Sequence, residues 1–160
     1  EVHLRRVQLR SFLRSTVREL RLVHRRDIVL DTPGPPVRVV LDPGLIGQLI
    51  GNLVANSVRH DPDRASVIGV RGHVAEGMVV LAVSDSGRGM SEEERAQIFG
   101  RFHTTAAFGE GSGLGLYICR HIAELHGGSI QVDTIAQHGT TMVVTFPAGG
   151  TVESEVAGER

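Results

Sequence analysis

Helical and extended segments do not alternate one for one along this chain, and that order admits few architectures. Leu9, Phe12, Leu13, Val17 and Leu20 recur at helical spacing, which predicts a helix over about 9–25 after a short strand at 2–7. Two short extended runs follow, 28–31 and 37–41, joined by a turn through Pro33, Gly34, Pro35 and Pro36. Asp42 suits an N-cap with Pro43 in the first turn, so a second helix is expected to run to about His60. Residues 67–74 and 78–85 read as two strands turning at Glu76-Gly77, and the apolar run 79–83 suits a central strand. Ser91 and Glu94 form a capping box for a short helix that reaches Phe99. Residues 103–112 read as a loop. A helix over about 112–126 comes next, stopped by Gly127 and Gly128, and then strands at 129–134 and 140–146. Strands in adjacent pairs between helices point to a two-layer α/β sandwich, with a mixed, mostly antiparallel sheet and helices on one face. The 160 residues fit one domain over 1–147, with 148–160 as a loose tail lacking apolar periodicity.

Composition removes several kinds of chemistry. All 17 basic residues are Arg. Without Lys there is no P-loop, no strand lysine of the eukaryotic protein kinases and no Schiff base. A net charge of −1 offers no basic field for nucleic acid. No apolar run approaches the roughly 20 residues of a membrane span, so no direct membrane contact is expected. The single cysteine, Cys119, forms no internal disulfide, which fits a reducing, cytoplasmic setting. The start at Glu1 without Met is expected of a domain excised from a longer protein. Arg10, Arg14 and Arg18 share a helix face, either a solvated face or a docking face for a partner helix.

Four segments carry candidate chemistry. In the helix ending at His60, Asn52 and Asn56 project from one face a turn apart, with Arg59 three residues further. Carboxamide oxygens suit Mg²⁺ and a guanidinium suits phosphate, although such a face is equally a solvated one. In the second segment Asp85 ends an apolar strand and Gly87 and Gly89 follow. This is either an ordinary turn or a carboxylate beside bare backbone, able to take a nucleobase amine. Phe99 and Phe102 flank Gly100 and Arg101, as core residues or as the anchor of a mobile loop. Finally, Gly109, Gly111, Gly113 and Gly115 run into an apolar helix, where backbone amides and the helix dipole can hold phosphate. Leu114 excludes the dinucleotide fingerprint.

The order of these segments, closing with Gly139-Thr140, resembles the ATP-binding domain of bacterial sensor histidine kinases. That family also includes DNA gyrase, the mismatch-repair ATPases and heat-shock chaperone ATPases. The resemblance covers about residues 7–147. It implies a Bergerat-type sandwich that holds ATP and Mg²⁺ between the Asn helix and a lid. Asn56 then corresponds to the Mg²⁺ ligand, with Asn52 beside it. Arg59 and His60 face the phosphates and ribose, which makes Asn52, Asn56 and Arg59 the catalytic set. Asp85 takes the adenine amine, backed by Thr140, with Gly87, Gly89 and Met90 around the base. Phe99 and Phe102 border the lid, and Arg101 helps neutralise phosphate charge. Gly111, Ser112, Gly113 and Gly115 wrap the phosphates, while Leu114 and Leu116 seat the helix.

Within the family, the hydrolysing branch carries a water-activating Glu four residues before the metal Asn. Asn52 occupies that position and cannot act as a base, so the resemblance implies phosphoryl transfer. The short lid points the same way. Anti-sigma-factor kinases, which phosphorylate Ser, are the nearest alternative, followed by a regulatory module that only holds nucleotide. Ser57 and Ser86 replace the usual Ala and Asn. None of the eight His fits the phosphoacceptor motif, so the acceptor is expected on a dimerisation hairpin outside this chain. The resemblance therefore implies that hairpin and a response regulator as partners. It also implies a monomeric fragment, a homodimeric full protein and a cytoplasmic location, as part of a membrane-anchored sensor.

Overall fold

The computed structural model describes residues 1–61, 64, 66–99, 114–135 and 139–149. The chain runs β1 (Arg5–Gln8), α1 (Leu9–His24), β2 (Ile28–Asp31), β3 (Arg38–Leu41), α2 (Pro43–Arg59), β4 (Ile68–Ala75), β5 (Met78–Asp85), α3 (Glu92–Gln97), α4 (Gly115–Leu125), β6 (Ser129–Ile135) and β7 (Gly139–Pro147). Five strands form one sheet in the order β2-β4-β5-β7-β6. The β2–β4 pair is parallel and the rest are antiparallel, so the fold is the mixed, mostly antiparallel sandwich the strand order implies. β5, with its apolar run 79–83, lies at its centre.

The two strands before α2 do not pair with each other. β2 joins the large sheet, whereas β3 pairs with β1 in a separate two-stranded sheet. The prolines at 33, 35 and 36 explain the split, because proline donates no ladder hydrogen bond and favours a spanning turn over a hairpin. Alternate strand residues face the helices. Ile68, Val70, Val79, Leu81, Val83, Met142, Val144 and Phe146 are buried against Leu13 and Val17 of α1, Leu49 and Leu53 of α2, and Ile122 of α4.

Several contacts fix the helices that carry the candidate site. Asp42 caps α2, its carboxylate accepting hydrogen bonds from Leu45 N (3.1 Å) and His3 N (2.7 Å). Its own N–H donates to His126 Nε2 at 3.1 Å, while His126 Nδ1 bonds Ile122 O at 2.8 Å. The imidazole thus ties the start of α2 to the end of α4. At the other end of the pair Asn52 reaches Gly115 O at 3.5 Å, so the two helices run antiparallel. The packed body also extends past 147. Ala148 is buried, donates to Gly77 O and accepts from Val40 N (both 2.9 Å), bridging the two sheets. Ala148 thus packs against the body of the fold. Among the described residues no helix is long and apolar enough to cross a membrane.

Candidate functional site

Helix α2 brings the candidate groups together. Its apolar face, Ile46, Leu49, Ile50, Leu53 and Val54, is buried in the core, and Asn52 and Asn56 lie at the margin of that face. Asn56 is only 7% exposed, Asn52 is half-buried and Arg59 is exposed in the last turn. His60 is the half-buried C-cap, its N–H donating to Asn56 O. Asn52 also bonds the thiol of Cys119 on α4.

Asp85 is the last residue of β5 and stands opposite Thr140, which is buried in β7. Both carboxylate oxygens are engaged. Oδ2 accepts from Ser57 Oγ on α2 and Oδ1 from Gly87 N, each at 3.0 Å. Bare backbone lies beside this residue. A Cβ at Gly87 would sit 3.0 Å from Asp85 Oδ1 and 3.5 Å from His60 O. Gly139, at φ +99°, brings β7 so close that a Cβ there would lie 2.1 Å from Asp85 O. Gly89 is buried at φ +71°, a conformation suited to glycine, and Met90 is buried beside it.

Charges are distributed unevenly around His60. Burial holds its pKa below the usual value, Arg88 and Arg59 push the same way, and Asp85 and Glu94 oppose them. The neutral imidazole is therefore favoured. Arg88 pairs with Glu94 at 3.1 Å. Glu94 completes the capping box of α3 with Ser91, and that backbone bond, followed by Arg88, holds its carboxyl below the usual range.

Of the other candidate residues, Phe99 is half-buried and packs against the core beyond Ile98. Leu114, Gly115 and Leu116 are half-buried at the start of α4, which begins without a side-chain cap. Arg101, Phe102, Gly111, Ser112 and Gly113, with the loop at 103–112, lie outside the described residues. The structure thus gathers Asn56, His60, Asp85, Gly87 and Thr140 around the end of α2, and sets Gly115 against Asn52 earlier in the same helix. It adds groups that the motifs did not single out as site residues, namely Ser57, Ser66, Ser86, Arg88 and Glu94. Ser57 lay in plain view beside Asn56, but its sequence position says nothing about what it faces.

Residues 41–150 match the family described as histidine kinase-, DNA gyrase B-, and HSP90-like ATPase. The adaptive-response sensory kinase SasA of Microcystis aeruginosa is 33% identical over 142 residues, which is 88% of this chain and 36% of that protein. The heme sensor protein HssS of Staphylococcus saprophyticus is 28% identical, over 88% of this chain and 30% of its own. The chain thus spans about a third of the length of these curated relatives. Among solved structures, the mycobacterial sensor histidine kinase MprB superposes with a TM-score of 0.75 at 27% identity, covering 93% of this chain and all of that one. The catalytic domain of histidine kinase ThkA gives 0.77 at 27% identity, covering 92% and 99%. The family match and the fold agree: the chain belongs to the histidine kinase-, DNA gyrase B-, and HSP90-like ATPase family, as the ATP-binding catalytic domain of a sensor histidine kinase.

Proposed function

We propose that this domain binds ATP with Mg²⁺ and passes the γ-phosphoryl group to a histidine on a dimerisation hairpin outside this chain, serving a response regulator in two-component signalling. The observation that carries the reading is Asp85. Its carboxylate is held by Ser57 and Gly87 against bare backbone, at the end of the helix that bears Asn52 and Asn56.

Each residue has a role its chemistry allows. Asp85 accepts a hydrogen bond from the adenine amine, and Thr140 lies beside it in register. Gly87 and Gly89 leave room for the flat base. The residues also fit a hard cation. The carboxamide oxygen of Asn56, a residue only 7% exposed in the last turns of α2, would hold the ion, with Asn52 beside it on the same helix face. The ion, when bound, neutralises charge on the phosphates. Arg59, exposed in the last turn, offers a guanidinium to the same charge, and Arg101 is assigned alongside it. Backbone amides of Gly111, Ser112, Gly113 and the α4 start hold phosphate oxygens, helped by the helix dipole. Asn52 cannot take a proton from water, which favours transfer over hydrolysis. Catalysis is then positioning and electrostatics.

Titration with ATP–Mg²⁺ followed by labelling with γ-labelled ATP tests this. The domain alone is expected to bind nucleotide and turn over little. With an acceptor hairpin supplied, acid-labile label is expected on its histidine. Acid-stable label on Ser or Thr, or no label despite binding, overturns the assignment.

A further inference from the structure

Two charged side chains outside the nucleotide-binding groups are buried together. Arg26, just beyond α1, is 8% exposed, and Asp61, just beyond α2, is 7% exposed. Burying such a pair is costly, and its geometry must recover the lost hydration. One nitrogen makes two bonds. Arg26 Nη2 donates to Asp61 Oδ2 at 2.5 Å and to Ser66 O at 3.0 Å. Asp61 Oδ2 also accepts from Ser66 N at 2.9 Å. The pair therefore grips both backbone polar groups of Ser66, at the entry to β4.

Ser66 passes this constraint on. Its hydroxyl accepts the N–H of Ser86 at 2.7 Å, and Ser86 Oγ accepts from Val67 N at 3.2 Å. Ser86 directly follows Asp85. On its other side Gly139 stands so close that a Cβ there would lie 2.9 Å from Ser86 Cα. The loop carrying the carboxylate is thus clasped between the entries of β4 and β7. Asp61 meanwhile holds the chain just past His60, which keeps α2 and the loop in one frame. An ion pair that only anchored the end of α1 would have no need to bond both backbone groups of Ser66, the residue that meets Ser86.

We infer that Arg26 is a positioning residue for the purine end of the site, acting through Asp61, Ser66 and Ser86. This rests on the reading of Asp85 as the purine acceptor. It predicts a selective effect, in which the grip on the base weakens while the grip on the phosphates does not.

The test compares ATP–Mg²⁺ with magnesium tripolyphosphate, which lacks the base, by calorimetric titration of the folded domain. Arg26→Gln is expected to weaken ATP by about tenfold, the order of one hydrogen bond to a charged group, and to leave tripolyphosphate within about twofold. Arg26→Lys, which keeps the charge, is expected to recover part of the loss. Ser66→Ala leaves the side-chain ion pair in place and removes only the hydroxyl that Ser86 N meets. It is expected to weaken ATP by about threefold, and it decides the matter if Arg26→Gln does not fold. Unchanged ATP affinity in these variants, or an equal fall for both ligands, overturns the inference. A parent domain that binds no ATP overturns the proposed function instead. The Ser86 amide, expected to exchange about tenfold faster in Arg26→Gln, then still decides whether Arg26 holds that loop.

Discussion

Ser57 Oγ donates a 3.0 Å hydrogen bond to Asp85 Oδ2, joining the buried face of α2 to the end of the central strand. A serine inside a helix normally returns its hydroxyl to the backbone one turn earlier. Here it faces a carboxylate instead. With Gly87 N on the other oxygen, two donors set the plane of Asp85 before any ligand arrives. Each oxygen retains a lone pair for an incoming amine.

Removing the two partners separately should therefore give unequal losses. Asp85→Asn replaces an ionised acceptor with a neutral carboxamide and is expected to cost about 1.5–3 kcal/mol of ATP binding, roughly 10- to 150-fold. Ser57→Ala removes only an orienting bond and is expected to cost about 0.5–1.5 kcal/mol, roughly 2- to 12-fold. Calorimetric titration of both variants checks the ranking. A larger loss at Ser57 than at Asp85 would contradict the assignment of the carboxylate to the base.

Gly139 offers a test through the backbone. At φ +99°, with a would-be Cβ 2.1 Å from Asp85 O, it has no flexible side chain to push aside. Gly139→Ala is expected to destabilise the domain by about 2 kcal/mol or more, from strain plus overlap, and to weaken ATP because Asp85 must move. Gly77 is the comparison: its φ is +75° and nothing lies within 4 Å of a Cβ. Gly77→Ala is expected to cost only about 1–2 kcal/mol, with ATP affinity retained. Urea unfolding measures both.

His60 links stability to pH. Burial, with Arg88 and Arg59, lowers its folded pKa below 6.5, so between the folded and unfolded values the unfolded chain binds more protons. Its contribution to stability is complete above pH 6.5 and is lost as pH falls from there through the lower folded value. Urea midpoints at about pH 7.5 and about pH 5.5 are expected to differ less in His60→Gln than in the parent. Taking the difference between the two proteins removes the other histidines from the comparison.

Local signals were legible and long-range pairings were not. The Asp42 cap, the Ser91–Glu94 capping box and the bounds of β2 and β5 follow from neighbouring residues, and the structure reproduces them. Alternation marks a strand without naming its partner, which is why β2 and β3 looked like companions although they lie in different sheets. The helix pattern likewise put Ser57 in α2 without revealing that Asp85, 28 residues on, meets it. Arg26 and Asp61 are 35 residues apart and each reads as an ordinary surface charge. Ala148 lacks any periodic context, and two backbone hydrogen bonds bury it.

Cys119 tests the seam on which Asn52 sits. The thiol is buried between α2 and α4, donating to Leu49 O at 3.5 Å, and burial pushes its pKa from 9.0 up to about 12. Asn52 partly offsets that rise through its own bond to the sulfur. A shift of three pKa units leaves roughly a thousandfold less thiolate at neutral pH, and the sulfur is also shielded from reagents. A thiol-reactive disulfide is therefore expected to label the native domain at least roughly a thousandfold more slowly than the urea-unfolded chain. Labelling must then wait for α2 and α4 to separate. If Asn52 lies beside bound phosphates, ATP–Mg²⁺ draws the same two helices together and slows labelling further. Rapid labelling of the native domain would mean that the seam is open, and the contact between Asn52 and the start of α4 would fall with it.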